Sequence, residues 1–296
     1  MKLSIVTINY NNSDGLRKTI ESVLSQTYRD IEYIIIDGGS SDDSVDVIRA
    51  SALQAEGLDL KWVSEPDKGI YNAMNKGIRK ATGDYIQILN SGDILASDDV
   101  TERMVSALAQ VKSEELRDKS EEIGILYGNM IRDYGNGKLS KDVCLGDRVK
   151  SRESRRAQEV EWTMDDFIKG TVNHDPTYIH RSLYEKYGLY DENLKICSDW
   201  KWFVNAVVFG GEKLYYVPID VTIFDTTGIS ETNLEFREKE RHTELEKMLP
   251  AAILKDYDRY HFPIEQYKRL KKYHLWSIVY FMERVLFKLN KWGVLR

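Results

Sequence analysis

The sequence predicts an α/β fold built on a doubly wound, mostly parallel sheet, and three observations carry that expectation. Short apolar runs alternate four times with helical patterns over residues 1–95, an order that gives parallel strands joined by right-handed crossovers. Polar segments at residues 9–12, 37–40 and 90–93 each follow a strand-like run, where such sheets bind their ligands. Hydrophobic residues make up 42% of a chain of 296, enough for a sizeable core.

The elements follow in order. Leu3, Ile5, Val6 and Ile8 form a continuous apolar strand that breaks at Asn9, Tyr10, Asn11 and Asn12, the pattern of a buried parallel strand. Ser13 or Asp14 stands where a helix cap belongs, and Leu16, Ile20, Val23 and Leu24 then share one helical face. Residues 31–36 read as a second strand, and a helix capped by Ser41 or Asp42 runs to residue 55. Residues 60–63 give a third strand, and Ile70, Ala73, Met74, Gly77 and Ile78 lie on one face of a third helix. A fourth strand covers 85–89. Beyond it a charged helix spans 98–117, and strand-like stretches within 123–143 flank a hairpin-like turn at 133–137. Helices at 198–209 and 233–248 are separated by strands near 214–217 and 221–224. The polar, Arg-rich residues 150–158 read as a solvated loop or an acceptor-side lid.

Several function classes are disfavoured. Cys144 and Cys197 are far apart and lack a CxxC pattern or His-rich neighbours, which gives no reason for a disulfide framework or zinc site. The apolar run at the start is too short for a secretory signal, and no run reaches the roughly 18 apolar residues that cross a bilayer. A cytoplasmic location is expected. The turn at 37–40 is not GxGxxG and no P-loop lysine follows it, which argues against a dehydrogenase. No nucleic-acid partner is expected from a chain of net charge −6.

Two carboxylates stand at strand ends. Asp37 is placed either to accept hydrogen bonds from a base or ribose or to serve its own turn. Asn90, Ser91, Gly92 and Asp93 follow the fourth strand directly. A hard divalent cation often uses only one or two protein carboxylates and fills its other sites with water and phosphate oxygens, so Asp93 alone can suffice.

Four ordered motifs, SIVTINYNN at 4–12, IIIDGGSSDDS at 34–44, SEPDKGIYNAMNKGI at 64–78 with ATGD at 81–84, and LNSGD at 89–93, resemble glycosyltransferase family 2. The resemblance spans about residues 1–225 and is strongest over the first 95. It implies the GT-A nucleotide-sugar-binding fold: a Rossmann-like, mostly parallel central sheet flanked by helices, here with a C-terminal helical extension. The implied domains are 1–232, with a nucleotide-binding half at 1–95 and an acceptor-side half at 96–232, followed by 233–296. It implies inverting transfer of a sugar from a nucleotide-diphosphate sugar, UDP-linked by preference, to a hydroxyl of a glycan or lipid-linked acceptor in surface-polysaccharide synthesis. By the same resemblance Thr7, Tyr10 and Asp37 line the nucleoside pocket, Asp67 and Lys68 approach the base or phosphates, Ser91 joins them, and Asp93 holds Mn2+ or Mg2+ at the diphosphate. Asp199 is the implied catalytic base, with His174 and Trp200 on the diphosphate or acceptor side.

The sequence departs from that pattern where the family commonly has Asp, at Asn90, Gly92 and often Gly38. The departures motivate an alternative: a catalytically inactive nucleotide-binding or scaffold protein on the same fold. The tail is chemically distinct, since residues 263–296 carry eight Lys or Arg against two Glu. Lys268, Arg269, Lys271, Lys272, Arg284, Lys288 and Lys291 are interleaved there with Tyr273, Trp276, Tyr280, Phe281, Leu286 and Phe287. Such a helix suits an anionic membrane surface, which would place the protein at the inner face of the plasma membrane; packing on the domain or a homo-oligomer contact are its other readings.

Overall fold

The computed structural model describes residues 1–55, 57–115, 122–135, 138–142, 157–257, 259, 271–273, 275, 278–282, 284 and 286. They belong to two compact units, 1–240 and 241–296. Cys144, residues 150–156 of the Arg-rich segment, and Lys268, Arg269, Trp276, Phe287, Lys288 and Lys291 of the tail lie outside the described residues.

The first unit opens with the expected alternation. Strand β1 (Leu3–Asn9), helix α1 (Ser13–Leu24), β2 (Ile31–Asp37), α2 (Ser44–Ala52), β3 (Asp59–Ser64), α3 (Ile70–Lys80) and β4 (Tyr85–Ile88) follow one another. The first helix is capped one residue earlier than expected, because the Asn12 side chain accepts the Gly15 N–H. The second starts later, since Asp42 accepts the amides of Ser13 and Ser44 and is held outside the helix.

Both faces of β1 and β2 are buried, and alternate side chains point to opposite faces of the sheet. Leu3 and Ile5 of β1 and Ile31, Tyr33 and Ile35 of β2 join Leu16, Ile20, Val23, Val47 and Ile48 of α1 and α2 in one core cluster. On the other face α3 lies so close to β1 that a Cβ at Gly77 would run into the Val6 side chain. That contact requires glycine.

The rest of the unit comprises β5 (Ile94–Leu95), α4 (Val100–Glu115), β6 (Ile125–Asp133), β7 (Leu139–Asp142), β8 (Gln158–Val160), α5 (Met164–Lys169), β9 (Thr177–His180), α6 (Arg181–Tyr187), α7 (Ser198–Phe203), a π-helical turn Val204–Phe209, β10 (Leu214–Asp225) and α8 (Ile229–Thr232). The two strands expected near 214 and 221 are one strand. Its pairing with β6 shifts register twice between Tyr216 and Thr222, around Pro218, which has no N–H to give the ladder.

The sheet order is β3-β2-β1-β4-β9-β6-β10-β5. β1, β2, β3 and β4 are mutually parallel, and β6 runs parallel to β10. β9 is antiparallel to both β4 and β6. The carboxyl ends of β1, β2, β4, β6 and β10 therefore share one edge, and the reversed β9 delivers its amino-terminal loop, with His174 and Asp175, to that same edge.

Helix α9 spans Leu234–Met248. In the second unit Tyr273, Ile278, Tyr280, Phe281, Met282 and Leu286 are exposed. The Arg284 guanidinium lies over the Tyr280 ring. No helix of the described residues is long and apolar enough to cross a membrane.

Candidate active site

The turn after β4 is held from three directions. Ser91 N–H donates to the Ile8 carbonyl at 3.0 Å, and Asn12 Nδ2 donates to the Ser91 carbonyl at 3.1 Å. The Thr19 hydroxyl accepts the Gly92 N–H at 2.9 Å and donates to the Asp93 carbonyl at 2.7 Å. Gly92 adopts φ +107°, a conformation that suits glycine. Ser91 lies half-buried in this turn.

Asp93 points inward and is only 3% exposed. Its Oδ1 accepts the backbone N–H of Asp225 at 2.8 Å, tying the turn to the end of β10. Burial, and then the neighbouring Asp175 carboxyl, push its pKa well above the usual carboxylate value. One oxygen of Asp93 is thus taken by backbone, and the group is buried beside a second acid.

The oxygen-rich donor set nonetheless suits a hard divalent cation completed by phosphate. Gly92 leaves a cradle at the edge in which a Cβ would meet Asp225 Oδ2 at 3.1 Å. Among the described residues no three His, Cys, Asp or Glu side chains are grouped to hold a metal ion.

Asp199 stands on the first turn of α7, and both of its oxygens are engaged. Tyr71 of α3 donates its hydroxyl to Oδ1 at 3.0 Å, and His174 Nδ1 lies 3.2 Å from Oδ2. Burial would raise the Asp199 pKa, but bonding to His174, the charge of that ring and the Tyr71 hydroxyl together lower it. The imidazolium is opposed by burial, yet Asp175 and Asp199 raise the His174 pKa to about 9.

His174 also reaches the turn after β4, with Nε2 3.1 Å from the Asn90 amide nitrogen. The same nitrogen lies 3.3 Å from Asp175 Oδ1. His174 thus links the Asn90–Asp93 turn to Asp199.

The loop carrying Asp199 is fixed by its neighbours. Asn75 accepts the Tyr190 N–H and donates to the Tyr190 carbonyl and to Glu192, while Asn72 donates to Glu192. The Glu240 carboxylate accepts the amides of Lys195, Ile196 and Cys197.

The expected nucleoside pocket is brought together only in part. Tyr10 is 66% exposed at the end of β1. A Cβ at Gly38 would collide with Asp67 Oδ2 and approach Tyr10 Cδ2 at 3.2 Å, so Gly38 lets Tyr10 and Asp67 converge. Asp67 is set by a turn in which its Oδ1 accepts the Gly69 N–H at 2.9 Å, and Lys68 beside it is exposed.

Three of the expected site residues lie buried. Thr7 is fully buried with its hydroxyl 3.1 Å from the Tyr33 hydroxyl, because its strand position points it into the core. Asp37 is buried, and its carboxylate accepts from Asn9 Nδ2, the Ser40 amide and hydroxyl, and the Ser64 hydroxyl. It organises the turn and has no free face for a base; these donors outweigh its burial and lower its pKa. Trp200 is 1% exposed and donates its indole N–H to the Phe167 carbonyl at 2.7 Å. It is core, as is Trp202, whose indole donates to Gly188.

The sequence reading passed over Tyr71, Asp175 and Asp225. Asp225 ends a strand, and Asp175 follows His174, so attention to strand ends would have marked both. Tyr71 carries no such signal, because its partner is 128 residues away.

Comparison with known proteins bears on this edge. The family model described as "Glycosyl transferase family 2" matches residues 4–113. An uncharacterized glycosyltransferase of Mycobacterium tuberculosis is 31% identical over 259 residues, covering 84% of this chain and 85% of the relative. A PGL/p-HBAD biosynthesis glycosyltransferase of Mycobacterium bovis is 25% identical over 203 residues, covering 69% of this chain and 68% of the relative. The crystal structure of S. aureus TarS in complex with UDP-GlcNAc superposes with a TM-score of 0.58 at 14% identity, covering 76% of this chain and 58% of that one. The mannosyltransferase PcManGT of Pyrobaculum calidifontis, in complex with GDP-Man and Mn2+, gives a TM-score of 0.52 at 15% identity and covers 75% of this chain and 56% of that one. The chain thus spans less than two thirds of these structural neighbours, whose likeness bears on the fold alone.

Proposed function

The chain belongs to glycosyltransferase family 2 and has the GT-A fold, and from that premise we propose that it is an inverting transferase using a nucleotide-diphosphate sugar. The acceptor is a hydroxyl of a glycan or lipid-linked acceptor molecule in surface-polysaccharide synthesis. The observation that carries this reading is the placement of Asp199, ionised and joined through His174 to the turn at Asn90. One group that can take a proton and one edge suited to a diphosphate stand side by side.

In the reaction Asp199 takes the proton of the acceptor hydroxyl as its oxygen bonds to the anomeric carbon. The bond from that carbon to the diphosphate oxygen breaks, and the nucleoside diphosphate leaves with the electron pair. Attack opposite the leaving group inverts the anomeric centre. Tyr10 and Asp67 receive the nucleoside, with Lys68 at the phosphates, and Ser91 and Asp93 lie in the turn that holds the diphosphate. A divalent cation, Mn2+ or Mg2+, supplies neutralisation of the leaving diphosphate when bound at this turn. Its affinity should be weak without nucleotide.

A thermal-shift screen of nucleoside diphosphates, each with and without Mn2+, tests the reading. One nucleotide is expected to raise Tm selectively, by more with metal than without, and its sugar conjugate to be turned over. Tight binding with no turnover across a panel of donors and acceptors would favour the inactive scaffold instead.

A further inference from the structure

We propose that Asp225, at the carboxyl end of β10, supplies the carboxylate that faces the diphosphate-bound cation across the gap left by Gly92. The proposal rests on the transferase reading above and assigns the metal-facing group within it.

Four observations converge. A side chain at position 92 would begin 3.1 Å from Asp225 Oδ2 and 3.5 Å from Asp225 Cβ, so the Asp225 carboxylate borders the space that position 92 leaves empty. Its Oδ1 accepts the Thr227 N–H at 2.9 Å, while Oδ2 has no hydrogen bond among the described residues. Its backbone is pinned from behind, because its N–H donates to Asp93 Oδ1. Asp225 is half-buried, whereas Asp93 is turned inward.

The charge balance points the same way. Asp175 and Asp225 both lie beside Asp93, whose Oδ1 accepts the Asp225 N–H. Among the described residues no Lys or Arg pairs with any of the three, and the His174 ring, 3.3 Å from Asp175 Oδ1, is shared with Asp199. A cluster of this kind favours a cation. Asp175 is 2% exposed, and its Oδ1 faces His174 Nε2 at 3.3 Å.

The roles then divide between the two acids. Asp93 is a positioning residue that fixes the end of β10 through backbone. Asp225 presents the free oxygen. Anchoring the ligand by its own N–H and by the Thr227 amide leaves it little freedom to lose when a cation binds.

The test measures Mn2+ binding by electron paramagnetic resonance on the full chain, with whichever of UDP and GDP the wild type binds more tightly. Asp225→Asn keeps an oxygen for the Thr227 amide and removes the charge; Asp225→Glu keeps the charge and displaces it. Asp225→Asn is expected to weaken Mn2+ binding about 10-fold or more, with metal-free nucleotide affinity and Tm unchanged. Asp225→Glu is expected to retain more of it. Unchanged Mn2+ affinity in Asp225→Asn overturns the proposal while leaving the transferase reading intact, and equal loss of metal-free nucleotide binding overturns it in favour of a structural role. Failure of the wild type to bind Mn2+ with either nucleotide overturns the metal reading beneath it.

Discussion

Both oxygens of Asp199 are occupied before any acceptor arrives, one by the Tyr71 hydroxyl and one by the His174 ring, so its basicity depends on those partners. While His174 is charged, Asp199 stays ionised and weakly basic. A His pKa raised to about 9 stabilises the fold fully below its ordinary value of 6.5, and that stabilisation is lost as pH rises through about 9. His174→Gln should remove this slope from urea-unfolding curves and lower stability near neutral pH by about 3 kcal/mol, the order found when one partner of a buried pair is removed. An unchanged slope between those two pH values would place the ring's proton elsewhere. The sequence made Asp199 and His174 legible through their motif positions, but not the bond between them. Nor did it reveal that Thr7, Asp37 and Trp200 turn into the protein, since which way a side chain faces depends on neighbours from other strands and helices.

At the scale of elements, the four alternations of strand and helix were readable because β1 and β2 are mostly apolar and buried on both faces and each intervening helix has one apolar face. The short pieces β5, α5, β9 and α6 were not, because four to seven residues, or two in β5, hold too little periodicity to register. β9 matters most among these, since its reversal brings His174 to the site. The opposite edge of the sheet serves stability. There Glu32 of β2, fully buried, accepts from the Ser4 hydroxyl, Lys61 Nζ and both the amide and the hydroxyl of Thr82. Burial opposes its charge, but Lys61, Ser4 and Thr82 prevail and lower its pKa from 4.5 to about 2. A depressed carboxylate contributes stability that is present above 4.5 and lost as pH falls through about 2. Glu32→Gln should therefore destabilise the chain at neutral pH by about 3 kcal/mol and flatten its acid unfolding between those values, with kcat unchanged. A fall in kcat without a fall in stability would contradict the separation of the two edges.

For the whole molecule, the account depends on convergence. Strands from both halves of the sheet end at one edge, so Tyr10 after β1, the Asn90–Asp93 turn after β4 and Asp225 of β10 lie along the edge at which the reversed β9 begins. Asp199 arrives separately on α7, held by Tyr71 of α3 and by His174. The family resemblance located the motifs along the chain, and the folded sheet brings residues 9–12, 37–40 and 90–93 to a common edge, with ATGD at the opposite one beside Glu32. The central claim is that this edge transfers a sugar with Asp199 as the base. Its most direct measurement is single-turnover sugar transfer by wild type and Asp199→Asn, with donor binding followed in parallel by calorimetry. The account predicts a loss of about 10²–10⁴-fold in the transfer rate with donor affinity retained; transfer by Asp199→Asn at the wild-type rate would contradict it.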